Sequence, residues 1–289
     1  MLLAVGTGWG SSQSTGKLAV STGHGPFGVI FWQLAISTGL LGLLVLWRRR
    51  PVPLHRQALR FYLAVALLGT LLPNMTFYLS VRHLPAGVMS IVISLVPMLA
   101  LPMSVALGLD RITPRRLTGL GLGVLGVAII AASGGAVGSN VAAGWLAVAV
   151  LGPVLYAMEG TYVARTGTAG TDAVTAMFGA SALGMALCLP LALASGQWVS
   201  LAGAWGVAEW ALLLQSVLHA ALYVSYVWLA ATAGAVFAAQ TSYVVTVTGV
   251  FWAMLLMDER FPPLVWLALV VMLAGVALVR PRDAAAARA

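Results

Sequence analysis

Two stretches of this chain repeat one construction at a constant, ungapped offset of 149 residues: Asp110 aligns with Glu259, Pro114 with Pro263 and Gly126 with Gly275. The first runs from Ala86-Gly87-Val88 through Asp110-Arg111-Ile112-Thr113-Pro114 to Gly126-Val127-Ala128. The second runs from Ala235 through Glu259-Arg260-Phe261-Pro262-Pro263 to Gly275-Val276-Ala277. Each copy is an apolar helix, a short acidic-Arg-x-x-Pro link and a second apolar helix. A duplicated unit constrains the architecture more than any isolated motif, because both copies must adopt one fold and then bury their faces together.

The medium those copies fold in follows from composition. Of 289 residues, 61% are hydrophobic and only 8% are charged, and the mean hydropathy is +0.99. A soluble domain keeps its surface wet with roughly a quarter of its residues charged, so the solvent here is lipid. In that setting an internal repeat points to a secondary transporter whose substrate site lies between the two halves. The net charge of +8 suggests a nucleic-acid partner only if position is ignored. Arg48, Arg49, Arg50, Arg56 and Arg60 crowd one link and Arg111, Arg115 and Arg116 another; arginines between apolar spans are topology signals, so no nucleic-acid partner is expected. The single cysteine, Cys188, excludes an internal disulfide, and the four histidines are scattered, so neither a metal site nor a cofactor is expected. No Gly-rich GK[ST] loop is present, which argues against an ATP site. The N-terminus opens directly into apolar residues and reads as a retained helix, without the basic region and cleavage pattern of a signal peptide.

A span needs about 20 mostly apolar residues. Charges, prolines and glycines cut the chain into ten: 2–20, 27–47, 59–80, 86–107, 115–134, 144–164, 172–194, 208–230, 235–257 and 262–280. With the N-terminus in the cytoplasm, the Arg-rich links 48–60 and 108–116, Arg165 and the tail bearing Arg280, Arg282 and Arg288 are all inside. The outside receives 21–26, 134–143 and 195–207, none of which holds Lys or Arg; Arg82 and Arg260 are the exceptions. An odd number of spans per half makes the halves run in opposite directions. The charges of the repeated links agree, since Arg111, Arg115 and Arg116 in the first face Asp258, Glu259 and Arg260 in the second. The expectation is an all-α membrane protein of ten transmembrane helices, built as two inverted five-helix repeats.

These span-link-span units, with the small-residue entry Leu84-Pro85-Ala86-Gly87 and the link Leu109-Asp110-Arg111, resemble the drug/metabolite transporter superfamily, specifically its EamA type. The likeness extends over nearly the whole chain, with a departure at Asp110, where Glu is usual. It implies a first repeat over 1–137, a second over 138–283 and a cytoplasmic tail at 284–289. It also implies a multi-pass protein of the bacterial inner membrane that exports or imports amino acids, related metabolites or drugs and has no chemical catalytic centre. A central cavity would lie among the first, third, fourth, sixth, eighth and ninth helices.

Polar groups in hydrocarbon are costly, so each asks for a reason. On the eighth span Gln215, His219, Tyr223 and Tyr226 share one helical stripe. His219 sits near mid-span, where its ring can exchange a proton at physiological pH, or is a neutral histidine bonded to a neighbouring helix. Glu159 is the one carboxylate well inside a span. It either binds a proton or an amine, anchors the inner end through Arg165, or makes a packing hydrogen bond. The first span carries Trp9, Gln13 and Lys17 on one stripe, with Lys17 placed to snorkel outward. Asn74 and Tyr78 beside Pro73, Ser94 before Pro97, and Gln240 with Thr241 and Tyr243 complete the candidates; Gln33 with Trp32 ranks lower. The expected substrate wall is Gln13, Asn74, Tyr78, Ser94, His219, Tyr223 and Gln240, and the proton-coupling candidates are Glu159 and His219. Trp32, Tyr78, Tyr156, Tyr223, Tyr226 and Tyr243 supply an aromatic pocket or act as interface anchors. Gly119, Gly123 and Gly126 form a packing face. Asp110 and Glu259 are expected to cap or tether the helix that follows each link, and Glu209 to serve as a helix N-terminal charge.

The leading expectation is therefore a secondary transporter exporting small organic solutes such as amino acids by alternating access. Its partners are a small-molecule substrate, membrane lipid and the proton as candidate coupling ion. Drug export on the same fold is the alternative. An intramembrane enzyme is the competitor from another class and would need paired carboxylates, a metal set or a Ser-His dyad at matched depth.

Overall fold

A computed structural model describes residues 1–108, 111–133, 140–168, 170–233 and 241–278, and for 140–143 and 227–233 the backbone alone. The helices are α1 (Leu2–Ala19), α2 (Pro26–Trp47), α3 (Arg56–Ala64), α4 (Leu72–Ser80), α5 (Ala86–Val92), α6 (Leu95–Ala106), α7 (Pro114–Ala132), α8 (Asn140–Thr166), α9 (Ala173–Ala194), α10 (Val207–Ala233), α11 (Thr241–Met257) and α12 (Pro263–Leu278). A π-helical turn over Val65–Leu71 joins α3 to α4 as one span, and α5 runs into α6. No strand occurs among the described residues. Among the described residues seven spans are long and apolar enough to cross a membrane, α11 and α12 are shorter apolar helices, and α1 is the polar one. The chain is a multi-pass membrane protein.

Local chemistry sets the ends and the breaks. Pro26 and Pro114 occupy first turns, where the missing N–H would have had no partner. Thr113 accepts from the Arg116 N–H at 3.4 Å, and His55 accepts from the Ala58 N–H at 3.3 Å. Asp172 caps α9 by accepting from the N–H groups of Val174 and Thr175. Partial burial disfavours the charge of Asp172, yet the Thr175 hydroxyl, those two N–H groups and nearby Arg48 together hold its carboxyl below the ordinary value. Both mid-span interruptions trace to proline. Pro73 has no N–H for the carbonyl of Gly69, and just before it Leu72 bonds five residues back to Leu67. Pro97 has none for the carbonyl of Ile93, which takes the Val96 N–H instead at 3.1 Å, and the helix breaks there between α5 and α6.

The repeat is visible in the packing. α7 lies against α12, α2 against α9, and α1 against α11 as α8 lies against α6. A Cβ placed on Gly126 would stand 3.5 Å from the Ala268 carbonyl, and one on Gly275 2.8 Å from the Gly119 carbonyl. Gly119 and Ala268 stand at the same offset as Gly126 and Gly275, so the contact is reciprocal about a two-fold axis. Higher numbers on α7 meet lower numbers on α12. The helices are antiparallel, and the repeated links before them lie at opposite ends of the bundle. The fold is thus the two-repeat architecture with its halves inverted. The glycine face of α7 packs as its sequence suggests, with Gly123 against Met98 and Gly126 against Met272.

Loops gather at two ends. At the arginine-poor end, Gln197 accepts from the Phe27 N–H at 3.1 Å. There Arg82 donates to the His24 carbonyl, and His24 stands 3.3 Å from Glu209. Glu209 also accepts from the Gly206 N–H at 2.8 Å, the N-terminal role expected of it. At the arginine-rich end the start of α3 faces the end of α8 across a cavity. Asp110, Arg280, Arg282, Arg288 and the tail 284–289 lie outside the described residues.

Candidate substrate site between the halves

Four helices, α2, α4, α8 and α10, bring polar side chains together in buried hydrogen bonds. Gln215 on α10 donates its amide to the Tyr78 hydroxyl at 2.8 Å. Tyr78 donates to Gln33 Oε1 on α2 at 3.1 Å, and Asn74 donates its amide to the same oxygen at 3.3 Å. Tyr156 on α8 donates to Asn74 Oδ1 at 3.4 Å. One turn further along α8, the Glu159 carboxylate accepts from the Tyr223 hydroxyl of α10 at 2.9 and 3.2 Å. One acceptor of the series, Gln215 Oε1, is buried with no hydrogen-bond partner among the described residues.

An aromatic wall stands beside Glu159. The ring of Tyr223 lies 6.0 Å from Trp9 and 5.2 Å from His219, and Trp9 lies 5.1 Å from Tyr226. These four rings are only half-buried, whereas Glu159, Gln33, Asn74, Tyr78 and Gln215 are buried. Gly69, within the π-helical turn, makes room for the carboxylate, since a Cβ there would overlap it. A π-turn opposite an intramembrane acid is a shape often found at functional sites.

Magnitude argues that this network is not there for stability. A hydrogen bond between membrane helices contributes on average about 0.6 kcal/mol, whereas a buried amide left unpaired costs roughly 2–7 kcal/mol. Apolar side chains at these positions would avoid that risk at almost no loss.

A second polar cluster closes the arginine-poor end. Lys17 Nζ lies 2.9 Å from Glu259 Oε1 and donates to the Leu84 carbonyl at 3.0 Å. The Glu259 carboxylate also accepts from the N–H groups of Ala86 and Gly87, at 2.8 and 3.0 Å. Asp258 takes a left-handed φ of 52° after α11, a conformation Asp tolerates better than most side chains. Glu259 comes directly after it. Lys17, expected to snorkel outward, is held by the partly buried Glu259 carboxylate. One expectation is corrected here. Glu259 caps α5, whose first two N–H groups would otherwise lack partners, and not the following helix α12.

The structure joins Asn74 and Tyr78 in the hydrogen-bond chain and pairs Tyr223 with Glu159 one turn of α8 from Tyr156, with His219 beside Tyr223. Gln13 is half-buried on α1 and forms no part of the hydrogen-bond chain. Ser94 stands apart at the joint of α5 and α6, donating to the Ile91 carbonyl at 2.7 Å. Gln240 lies outside the described residues. The anchoring reading of Glu159 is replaced, because its partner is Tyr223 and Arg165 is exposed. Trp32 belongs to an aromatic cluster with Phe31 and Trp198 and donates to the Val199 carbonyl at 2.8 Å, outside the hydrogen-bond network. Sequence reasoning undervalued Gln33, which accepts two of the network's bonds, and Tyr156, which links α8 to it. The signal for Gln33 was available, as an amide inside the otherwise apolar α2.

A family model described as the EamA-like transporter family matches residues 1–132 and 143–280. The chain belongs to that family. No curated protein sequence matches it. One similar solved structure, titled "Crystal structure of protein", shares 16% identity, covers 96% of this chain and 95% of its own, and superposes with a TM-score of 0.61. At that identity the likeness speaks for the fold alone.

Proposed function

We propose that this protein exports small neutral or zwitterionic solutes, amino acids and related metabolites, in exchange for protons. Glu159 supports the reading best: a buried carboxylate held by one tyrosine hydroxyl, with no cation paired to it among the described residues, where α8 and α10 of the second half meet the π-turn of the first. A substrate ammonium and a proton compete for one carboxylate, so each displaces the other. That mutual exclusion is antiport, and an inward proton gradient then drives the solute outward. The carboxamides of Gln33, Asn74 and Gln215 suit a polar backbone fragment, and Gln215 Oε1 offers an unused acceptor. The rings of Trp9, His219, Tyr223 and Tyr226 suit an apolar side chain. They also favour the second reading, export of a hydrophobic amine, through attraction of a cation to an aromatic face.

The setting that goes with this function is a bacterial inner membrane, with both termini cytoplasmic and repeats spanning 1–137 and 138–283. The arginine-rich end then faces inward. Single cysteines at Ile112 and Arg260 are expected to label from opposite sides, Ile112 from the cytoplasm; labelling from one side overturns this orientation. The function itself is tested by counterflow of labelled amino acids in proteoliposomes, with and without a pH gradient. Counterflow of neutral or zwitterionic amino acids, with net movement when the gradient is applied, supports the reading. Movement of polyanions alone overturns it.

A further inference from the structure

At the arginine-rich end, far from the network, a cavity of about 550 Å³ opens between the start of α3 and the end of α8, lined by Arg56, Gln57, Arg60, Phe61, Tyr162 and Thr166. Arg56 and Arg60 stand one turn apart on the same helix face. Among the described residues neither takes part in an ion pair, and no carboxylate lines the cleft. Two like charges at this spacing disfavour each other unless an anion sits between them. Phe61, which lines the cleft, is otherwise buried, and Tyr162 and Thr166 of α8 line it opposite α3. The Thr166 hydroxyl donates to the Tyr162 carbonyl at 2.9 Å. Leu59 and Leu63, one turn apart on the same helix, are exposed and supply an apolar flank beside the arginines.

We infer that this cleft binds a phosphate group through the paired guanidinium forks of Arg56 and Arg60. Planar forks match phosphate oxygens in a bidentate way that a lone ammonium cannot. The apolar flank at headgroup depth favours the phosphate of an anionic phospholipid over the free ion, since the acyl chains then have a surface to follow. Bridging α3 to α8 ties the first half of the molecule to the second at this end. The inference does not rest on the transport reading.

The test uses the full-length purified protein and native mass spectrometry. Phosphatidylglycerol is compared with phosphatidylethanolamine carrying the same acyl chains, and inorganic phosphate is tested separately by its effect on the melting temperature of delipidated protein. Retention of phosphatidylglycerol is expected to exceed that of phosphatidylethanolamine by roughly tenfold. Arg56→Gln with Arg60→Gln is expected to remove the preference. Arg49→Gln with Arg115→Gln deletes the same charge from exposed positions outside the cleft and is expected to leave it. A melting shift with inorganic phosphate that the Arg56 and Arg60 variants abolish would assign the site to the soluble ion. A lipid preference without that shift assigns it to the headgroup. Absence of both effects, or an equal loss in the Arg49 and Arg115 variant, overturns the site.

Discussion

Glu259 and Glu159 are both carboxylates close to apolar helices of the second half, and their surroundings differ in nearly every respect. Glu259 meets an ammonium and two backbone N–H groups, so its charge is matched. Glu159 meets one phenolic hydroxyl in a buried site. Charges taken out of water are tolerated when opposite charge and hydrogen bonds replace the lost hydration, and Glu259 satisfies that condition as a structural clasp. It fastens the link after α11 to α1 and to the entry of α5, and so closes the arginine-poor end. Glu159 does not satisfy it, and an intramembrane acid in that state is suited to exchange its charge for a proton or a cation. One residue type serves as a fastener in one place and as the proposed exchange site in the other.

Replacing Glu159 is the sharpest way to break this comparison and carries the largest expected effect. Glu159→Gln keeps the shape and an acceptor for Tyr223 but cannot change charge. Accumulation against a gradient is expected to vanish, while counterflow, which needs no net proton movement, persists with weaker apparent affinity because the ammonium has lost its carboxylate; removing a poorly matched buried charge is expected to leave thermal stability equal or higher. A variant that still concentrates solute in response to a pH gradient would move the exchange site elsewhere. A variant that fails to fold would make Glu159 a second clasp and erase the contrast.

Glu259→Gln comes next, and its effect falls on stability. Removing one partner of a buried ion pair costs about 3–5 kcal/mol. This pair keeps 24% and 12% of its side-chain surface exposed, so solvent screening reduces the expected loss to about 1–2 kcal/mol. The exchanged pair, Lys17→Glu with Glu259→Lys, restores the attraction but leaves the Ala86 and Gly87 N–H groups without their acceptor, so recovery is expected to be partial. Thermal unfolding of the four proteins of this double-mutant cycle in detergent measures it. Full recovery would mean that the cap on α5 contributes nothing.

The two glutamates also show how far the sequence could be read. The ten spans are legible because runs of about 20 apolar residues between charges have few alternatives, and the inversion is legible because the repeated links carry opposite charge balances. The breaks in the third and fourth spans are foreshadowed by Pro73 and Pro97. The register of contacts is not. Glu259 pairs with Lys17 across 242 residues, and nothing in its own neighbourhood names that partner, so assigning it to the adjacent helix was the local choice and the wrong one. Gln33 is hidden for a related reason. A single amide in an apolar span looks incidental until Tyr78 and Asn74 arrive from another helix to use its oxygen. Glu159 could be located by sequence, but whether Arg165 or Tyr223 would hold it depended on how α8 and α10 rotate, which helical periodicity on one chain segment does not fix.

Tyr223→Phe gives the smallest expected effect and sharpens the comparison most finely. It removes the hydroxyl that reaches Glu159 at 2.9 Å and keeps the ring against Trp9 and His219. A hydrogen bond to a charged group contributes about 1.5–3 kcal/mol, but the hydroxyl serves the substrate-free carboxylate. When an ammonium or a proton occupies Glu159, less of that interaction remains to be lost. Apparent substrate affinity is therefore expected to rise or stay within severalfold, and the pH at which transport is half-maximal to move upward, because the unassisted carboxylate holds its proton more tightly. The sign follows from the hydroxyl's preference for the charged form: deleting it favours the protonated acid, so more alkaline conditions are needed to empty it. Transport rates across a pH series for Tyr223→Phe and the unaltered protein measure this. A profile that does not move, with transport otherwise intact, would mean that Glu159 is not the group whose protonation limits the cycle.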